Sequence, residues 1–178
     1  MVAIPVPDNY GLVIGVALGA IPLLGFVHGG VTTSIRKEAK VPYPHSYASV
    51  EQCQENVSPS PSLQFITLSL DINLLFLSLF QAKAEQFNCA QRAHSNFLEN
   101  SSQTMLCTLV AGLKYPELAA GIGSVWVLSR VMFLYGYVYS GQAQGKGRFN
   151  KGGPVFWLAQ GALWGLAVFG VGKDLVSL

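Results

Sequence analysis

The chain has 178 residues, of which 51% are hydrophobic and only 11% charged, with a mean hydropathy of +0.39, too apolar and too poor in charge for an ordinary soluble domain. A formal charge of +2 without a dense basic tract and interleaved aromatics argues against a nucleic-acid partner. Cys53, Cys89 and Cys107 are odd in number and lack CxxC spacing, which points to free thiols and to neither a disulfide framework nor a metal site.

In chain order, Met1 to Asn9 reads as a short tail, and about residues 10–31 as a first transmembrane helix, with glycines for close packing and Pro22 for a kink. Arg36, Lys37 and Lys40 form a basic exit, which as topology needs no ligand to explain it, and Val41-Pro42-Tyr43-Pro44 ends helical structure. Residues 57–81 stand apart: a Ser/Pro stretch precedes an apolar run, Leu63 to Phe80, interrupted by Asp71 and Asn73. A second helix over about 84–113 stops at Lys114-Tyr115-Pro116, and a third over about 118–139 carries Arg130 at membrane depth. Gly141 to Gly153 is a flexible basic turn, and about 154–176 is the last span. The expected fold is all-α: a polytopic membrane protein whose 1–178 forms one domain, a four-transmembrane-helix bundle with an anomalous apolar insert. The sequons at Asn56 and Asn100 are discounted as glycan sites, the second because it adjoins a membrane helix.

On the second helix, Asn88, Arg92, Asn96, Glu99 and Gln103 fall within an arc of roughly 80° at about 100° per residue. An arginine, a carboxylate and amides on one stripe suit a small zwitterionic ligand, since each charged end meets an opposite charge. A solvated helical face is the plainer alternative. On the third helix Trp126, Arg130, Phe133 and Tyr137 share a face, with Glu99 the expected partner of Arg130 and a structural inter-helix ion pair the alternative role.

Phe-Asn-Cys-Ala-Gln-Arg-Ala-His-Ser-Asn-Phe-Leu-Glu, Phe87 to Glu99, resembles the second-helix signature of the MAPEG superfamily, the membrane-associated proteins of eicosanoid and glutathione metabolism, most of all its type 3 microsomal glutathione transferase branch. Arg-Val-Met-Phe-Leu-Tyr-Gly-Tyr, Arg130 to Tyr137, resembles that family's third-helix motif, and Val41 to Pro44 the loop after its first helix. The resemblance implies a homotrimer in the endoplasmic reticulum membrane or nuclear envelope, with glutathione as co-substrate between neighbouring subunits and no permanently bound cofactor. It implies that Arg92, Asn96 and Glu99 grip glutathione, with Arg36, Lys37, His94, Arg130 and Tyr137 as further binding residues. His94 stands where the family's leukotriene-forming synthases have glutamine, and Asn100 and Phe133 where they have tyrosines, so two hydroxyl contacts are not expected.

The implied chemistry is attack by the glutathione thiolate on a hydrophobic electrophile, or reduction of a lipid hydroperoxide. A free thiol near pKa 8.5 is mostly protonated at neutral pH and needs a nearby cation to ionise it. In the family that cation follows the third helix; strict counting reaches Gln144, whereas the Lys-Gly-Arg pattern reaches Lys146 or Arg148, of which Arg148 is preferred. The alternatives are a non-enzymatic lipid-binding scaffold resembling the lipoxygenase-activating protein, and a small channel or structural subunit.

Four spans put Arg36, Lys37 and Lys40 on the same side as Lys146, Arg148 and Lys151, and the positive-inside tendency makes that side cytosolic. A fifth span at residues 57–81 would separate them, so the segment is expected to be extraneous. Its ends also allow splice-like codons, consistent with a translated intron or an equivalent insert; the alternative is a real extra segment, either a surface-lying helix or a loop covering the site.

Overall fold

The computed structural model describes residues 6–49, 70–150 and 152–176. Four helices form one bundle. Helix α1 runs Tyr10–Glu38, α2 Leu70–Gly112 and α3 Pro116–Tyr139, while α4 begins at Val155–Gly165 and continues through Leu166–Gly172 and Lys173–Val176. Helix α2 packs along both α1 and α3, and α4 packs on α3 and α2. Among the described residues there is no strand.

Three of these helices, α1, α3 and Val155–Gly172 of α4, are long and apolar enough to cross a membrane. Their outward side chains are those a lipid surface requires, with Phe26 81% and Leu158 76% exposed. Inside, Phe87, Phe97, Trp126 and Phe156 are almost completely buried where α1, α2, α3 and α4 meet. Pro22 has no N–H to donate to the preceding turn, and the helix widens to π geometry over Gly15–Ala20, just before it, where a kink was expected.

Two helix ends differ from the sequence reading. Helix α1 ends seven residues later than expected because Arg36 and Lys37 suit the negative end of the helix dipole and no breaker precedes Lys40. It closes by the 6→1 and 5→2 pattern, Val41 N–H to Arg36 O and Lys40 N–H to Lys37 O, with Lys40 left-handed at φ 53°. Helix α2 starts at Leu70, not near 84, since neither glycine nor proline interrupts Leu70 to Ala111. Of the expected insert at 57–81, residues 57–69 lie outside the described residues, and the remainder is the first part of α2. A single helix of 43 residues is about 65 Å long, roughly twice the hydrocarbon thickness. Residues 70–81 therefore continue α2 and do not turn back as a separate span.

The two ends of the bundle carry different polar ties. At one, Asn9 Nδ2 donates to Glu117 Oε1 at 2.8 Å and Lys114 Nζ pairs with Asp174 Oδ2 at 2.5 Å, which raises the lysine pKa above its ordinary value. At the other, Lys83 Nζ pairs with Glu38 Oε2 at 2.5 Å and Gln86 Nε2 donates to the Val138 carbonyl at 3.2 Å. The α1 exit and the end of α3 thus meet the same stretch of α2, and both basic segments share one end of the molecule.

At that end the Asn88 amide holds the loop after α1 from both sides: it donates to the Ala48 carbonyl at 3.0 Å and accepts the Ala48 N–H at 2.8 Å. Asn88→Ala leaves both backbone groups without this partner and is expected to cost about 1–3 kcal/mol, read as a lower midpoint of thermal unfolding in detergent. Asn88→Asp, which accepts but does not donate, is expected to fall between the two.

Candidate functional site

The polar stripe of α2 divides once the helix is packed. Asn88 is taken by the loop, and Asn96 turns toward α3, where its Oδ1 accepts from Arg130 Nη1 at 2.9 Å. Arg92, Glu99 and Gln103 remain exposed on the outer face. Arg92 Nη1 lies 3.2 Å from Glu99 Oε1, both side chains about half exposed, and Asn96 Nδ2 approaches Glu99 Oε2 at 3.5 Å. The expected Arg130–Glu99 pair does not form. Asn96, on the inner edge of the stripe, reaches the guanidinium first, while Glu99 sits on the outer edge and closes on Arg92.

Arg130 is completely buried. Its guanidinium carbon lies 4.2 Å from the Phe156 ring centre, 5.1 Å from Phe133, 5.3 Å from Trp126 and 5.5 Å from Phe97, an aromatic cage drawn from three helices. The rings face the cation with their negative π surfaces and replace part of its lost hydration. Phe133 belongs to this cage, and Asn100 donates to the Asn96 carbonyl at 2.7 Å, so both positions noted for lacking a tyrosine serve the interior.

From Arg130 the contacts continue along α3. Phe133 meets Tyr137 with ring centres 5.5 Å apart and planes tilted by 54°, and the Arg148 guanidinium lies 4.9 Å over the Tyr137 ring. Ala143–Phe149, expected as a flexible turn, is a 3-10 segment pressed on the end of α3. The backbones meet at Gly136 and Gly147, where a Cβ on either would strike the other's carbonyl oxygen. Gly145 has φ 62° and accepts from Arg148 Nη1 at 3.2 Å; a Cβ there would meet Tyr137 and the Cys89 sulfur. Left-handed geometry and tight space both demand glycine. Arg148 is thereby held half-buried against Tyr137, while Lys146 is exposed. Between residues 82–89 of α2 and the end of α3 opens a cleft of about 300 Å³, lined in part by Glu85, Gln86, Cys89 and Tyr137.

The other expected site residues are not gathered here. Arg36 is buried between Tyr43 and Phe87, at 4.5 and 4.7 Å from their ring centres, and its Nη1 donates to the His45 carbonyl at 2.7 Å. Lys37 is exposed on the last turn of α1. His94 faces α1, its ring 6.2 Å from that of buried His28, and lines a groove of about 460 Å³ with Gly25, Phe26 and Gly29. Sequence reasoning missed Asn88 as a loop anchor, Cys89 in the cleft and Phe156 in the cage. The amide of Asn88 one turn before Arg92 was a visible signal, but its partner is a backbone 40 residues away.

These features define a multi-pass helical membrane protein with an exposed ion pair on its second helix and a buried cation between its second, third and fourth helices. The family model described as the MAPEG family matches residues 14–169, and the chain belongs to that family. Members include glutathione transferases, peroxidases and activating proteins, which sit in membranes and bind glutathione and lipid substrates. No solved structure gives a significant match to the chain.

Proposed function

We propose that this chain is a membrane-bound glutathione transferase with glutathione-dependent peroxidase activity, most like the type 3 microsomal enzymes. It works as a homotrimer in the endoplasmic reticulum membrane with its basic end in the cytosol. The observation that carries this reading is the exposed Arg92–Glu99 pair with Asn96 between, joined through Arg130, Phe133 and Tyr137 to Arg148. The backbones of Arg92 and Glu99 are seven steps, about 10 Å, apart along the helix, so the two side chains, once their mutual contact opens, can reach the two ends of a short charged peptide. A half-exposed ion pair is weak, so a zwitterion exchanges with it easily: Arg92 takes a carboxylate and Glu99 the ammonium of glutathione.

Arg148 is the thiol activator in this reading, because it is fixed beside Tyr137, whereas Lys146 is exposed. In transfer, the thiolate sulfur forms a bond to an electrophilic carbon of the hydrophobic substrate while that carbon's leaving group departs as an anion or, in a conjugated acceptor or epoxide, the broken bond's electron pair moves to the neighbouring atom and takes up a proton. In reduction, it attacks the hydroperoxide and the O–O bond breaks, leaving the lipid alcohol and a glutathione sulfenic acid. A second glutathione converts the sulfenic acid to the disulfide and water. His94 and Lys37 do not join the Arg92–Glu99 face, and in a trimer they serve the site of a neighbouring copy, whereas buried Arg36 holds the loop after α1.

Titration calorimetry of glutathione into the purified chain tests the assignment. Arg92→Ala is expected to weaken binding roughly 10- to 100-fold, the loss of charge-assisted hydrogen bonds, with turnover at saturation less affected. Absence of glutathione binding to the unaltered chain sinks the proposal, and binding without thiolate absorbance favours the scaffold.

A further inference from the structure

On the outer side of α3, away from the Arg92–Glu99 face, lies a groove of about 510 Å³. Its walls are Val131, Met132, Tyr135 and Tyr139, all exposed, and its floor is the close backbone contact between Gly136 and Gly147. At the basic end of the molecule the groove stops against a polar rim of Ser140, Gln142 and Asn150. Val131 to Tyr139 spans about 12 Å along the helix, so the groove runs from the bilayer interior to its surface.

An apolar channel closed at the interface by a hydroxyl and two amides matches an amphiphile lying with the surrounding leaflet. Inside a bilayer, moving an acyl chain from neighbouring lipid into such a groove gives little hydrophobic gain, so selectivity falls to the headgroup. The charge there has one sign: Gly141 to Gly153 contains Lys146, Arg148 and Lys151 and no acidic residue. Arg148 is engaged with Tyr137 and Gly145, which leaves two lysines adjacent in sequence to the groove, Lys146 beside floor residue Gly147 and Lys151 beside rim residue Asn150, of which Lys146 is exposed on the segment that forms the floor.

We propose that this groove binds one anionic glycerophospholipid per chain, an acyl chain along Val131, Tyr135 and Tyr139 and the phosphate region at Gln142, Asn150 and Lys146. The site is independent of the glutathione reading and tightens the basic segment against α3 from outside. A basic side chain near an anionic headgroup confers about a fivefold preference.

The test is native mass spectrometry of the full-length protein equilibrated in micelles with equal phosphatidylserine and phosphatidylcholine. Retention of one phosphatidylserine per chain, several-fold over phosphatidylcholine, is expected. Lys146→Gln should reduce that preference about fivefold and Lys146→Arg restore it, and Val131→Trp, which fills the groove, should abolish retention of both lipids. Thermal unfolding of Val131→Trp in detergent, expected to be unchanged, establishes that the variant is folded; if it is not folded, the Lys146 pair decides alone. Equal retention of the two lipids, or a preference indifferent to Lys146, overturns the proposal. So does retention that survives Val131→Trp in a folded protein. A parallel arm with oleate separates the sources: displacement of phosphatidylserine by equimolar oleate in a Lys146-dependent way assigns the groove to a free fatty acid and refutes the phospholipid.

Discussion

Alanine at Arg148 is expected to lower turnover about 10- to 100-fold while the affinity for glutathione changes only a few-fold. An opposite charge within about 4–6 Å lowers the pKa of an ionisable group by roughly 1–3 units, and removing it returns the bound thiol toward its free value near 8.5. The sign follows directly: less thiolate is present at neutral pH, and the variant regains rate as the medium becomes alkaline. Its pH–rate profile therefore shifts upward by about 1–2 units, and thiolate absorbance titrates with it. Arg148→Lys keeps a cation there but loses the flat stacking on Tyr137 at 4.9 Å, so partial activity is expected. An unshifted thiol titration in Arg148→Ala refutes the role.

Alanine at Arg130 is expected to destabilise the bundle by about 2–5 kcal/mol, measured by thermal unfolding in detergent. The truncation leaves a cavity inside four aromatic rings and removes the 2.9 Å donor to Asn96. A second effect opposes it. Arg130 Nε and Nη2 are buried without a hydrogen-bond partner among the described residues, so the charge is costly where it sits. The cavity wins for alanine because the side chain is large and the cage is built from three helices. For methionine the balance reverses: the volume is largely kept and the buried charge is gone, so Arg130→Met is expected to be as stable as the original or more so. The same variant should bind glutathione less well, because Asn96 is no longer fixed between Arg92 and Glu99. Stability lost equally in both variants contradicts this account.

The order of the four described helices was legible in the sequence, since length and hydropathy suffice for α1, α3 and α4 and a proline marks the stop after α2, but the start of α2 at Leu70 was not. Pro116 marks the start of α3 two residues before the expected one, and the basic exit of α1 lies at the end predicted for it. The end of α1 was less legible because a lysine occupies the left-handed position that glycine usually marks. In the site, helical periodicity placed Arg92, Asn96 and Glu99 on one stripe but not the division of labour within it. That division depends on what faces each residue: the Ala48 backbone for Asn88, Arg130 for Asn96 and open surface for Glu99. Phe156 closes the Arg130 cage from a helix 26 residues further on, a contact that no local pattern records. The basic turn after α3 read as flexible because glycines abound there, yet the same glycines let two backbones touch at Gly136 and Gly147.

The double tie of Asn88 to Ala48 and the pairing of Lys83 with Glu38 fasten the loop after α1 and the last turn of α1 to one stretch of α2. Lys83 and Asn88 belong to the same continuous helix, so the two fasteners keep a fixed spacing and α1 cannot slide along α2 without breaking both. The register of the first two helices is thereby locked at the basic end of the molecule.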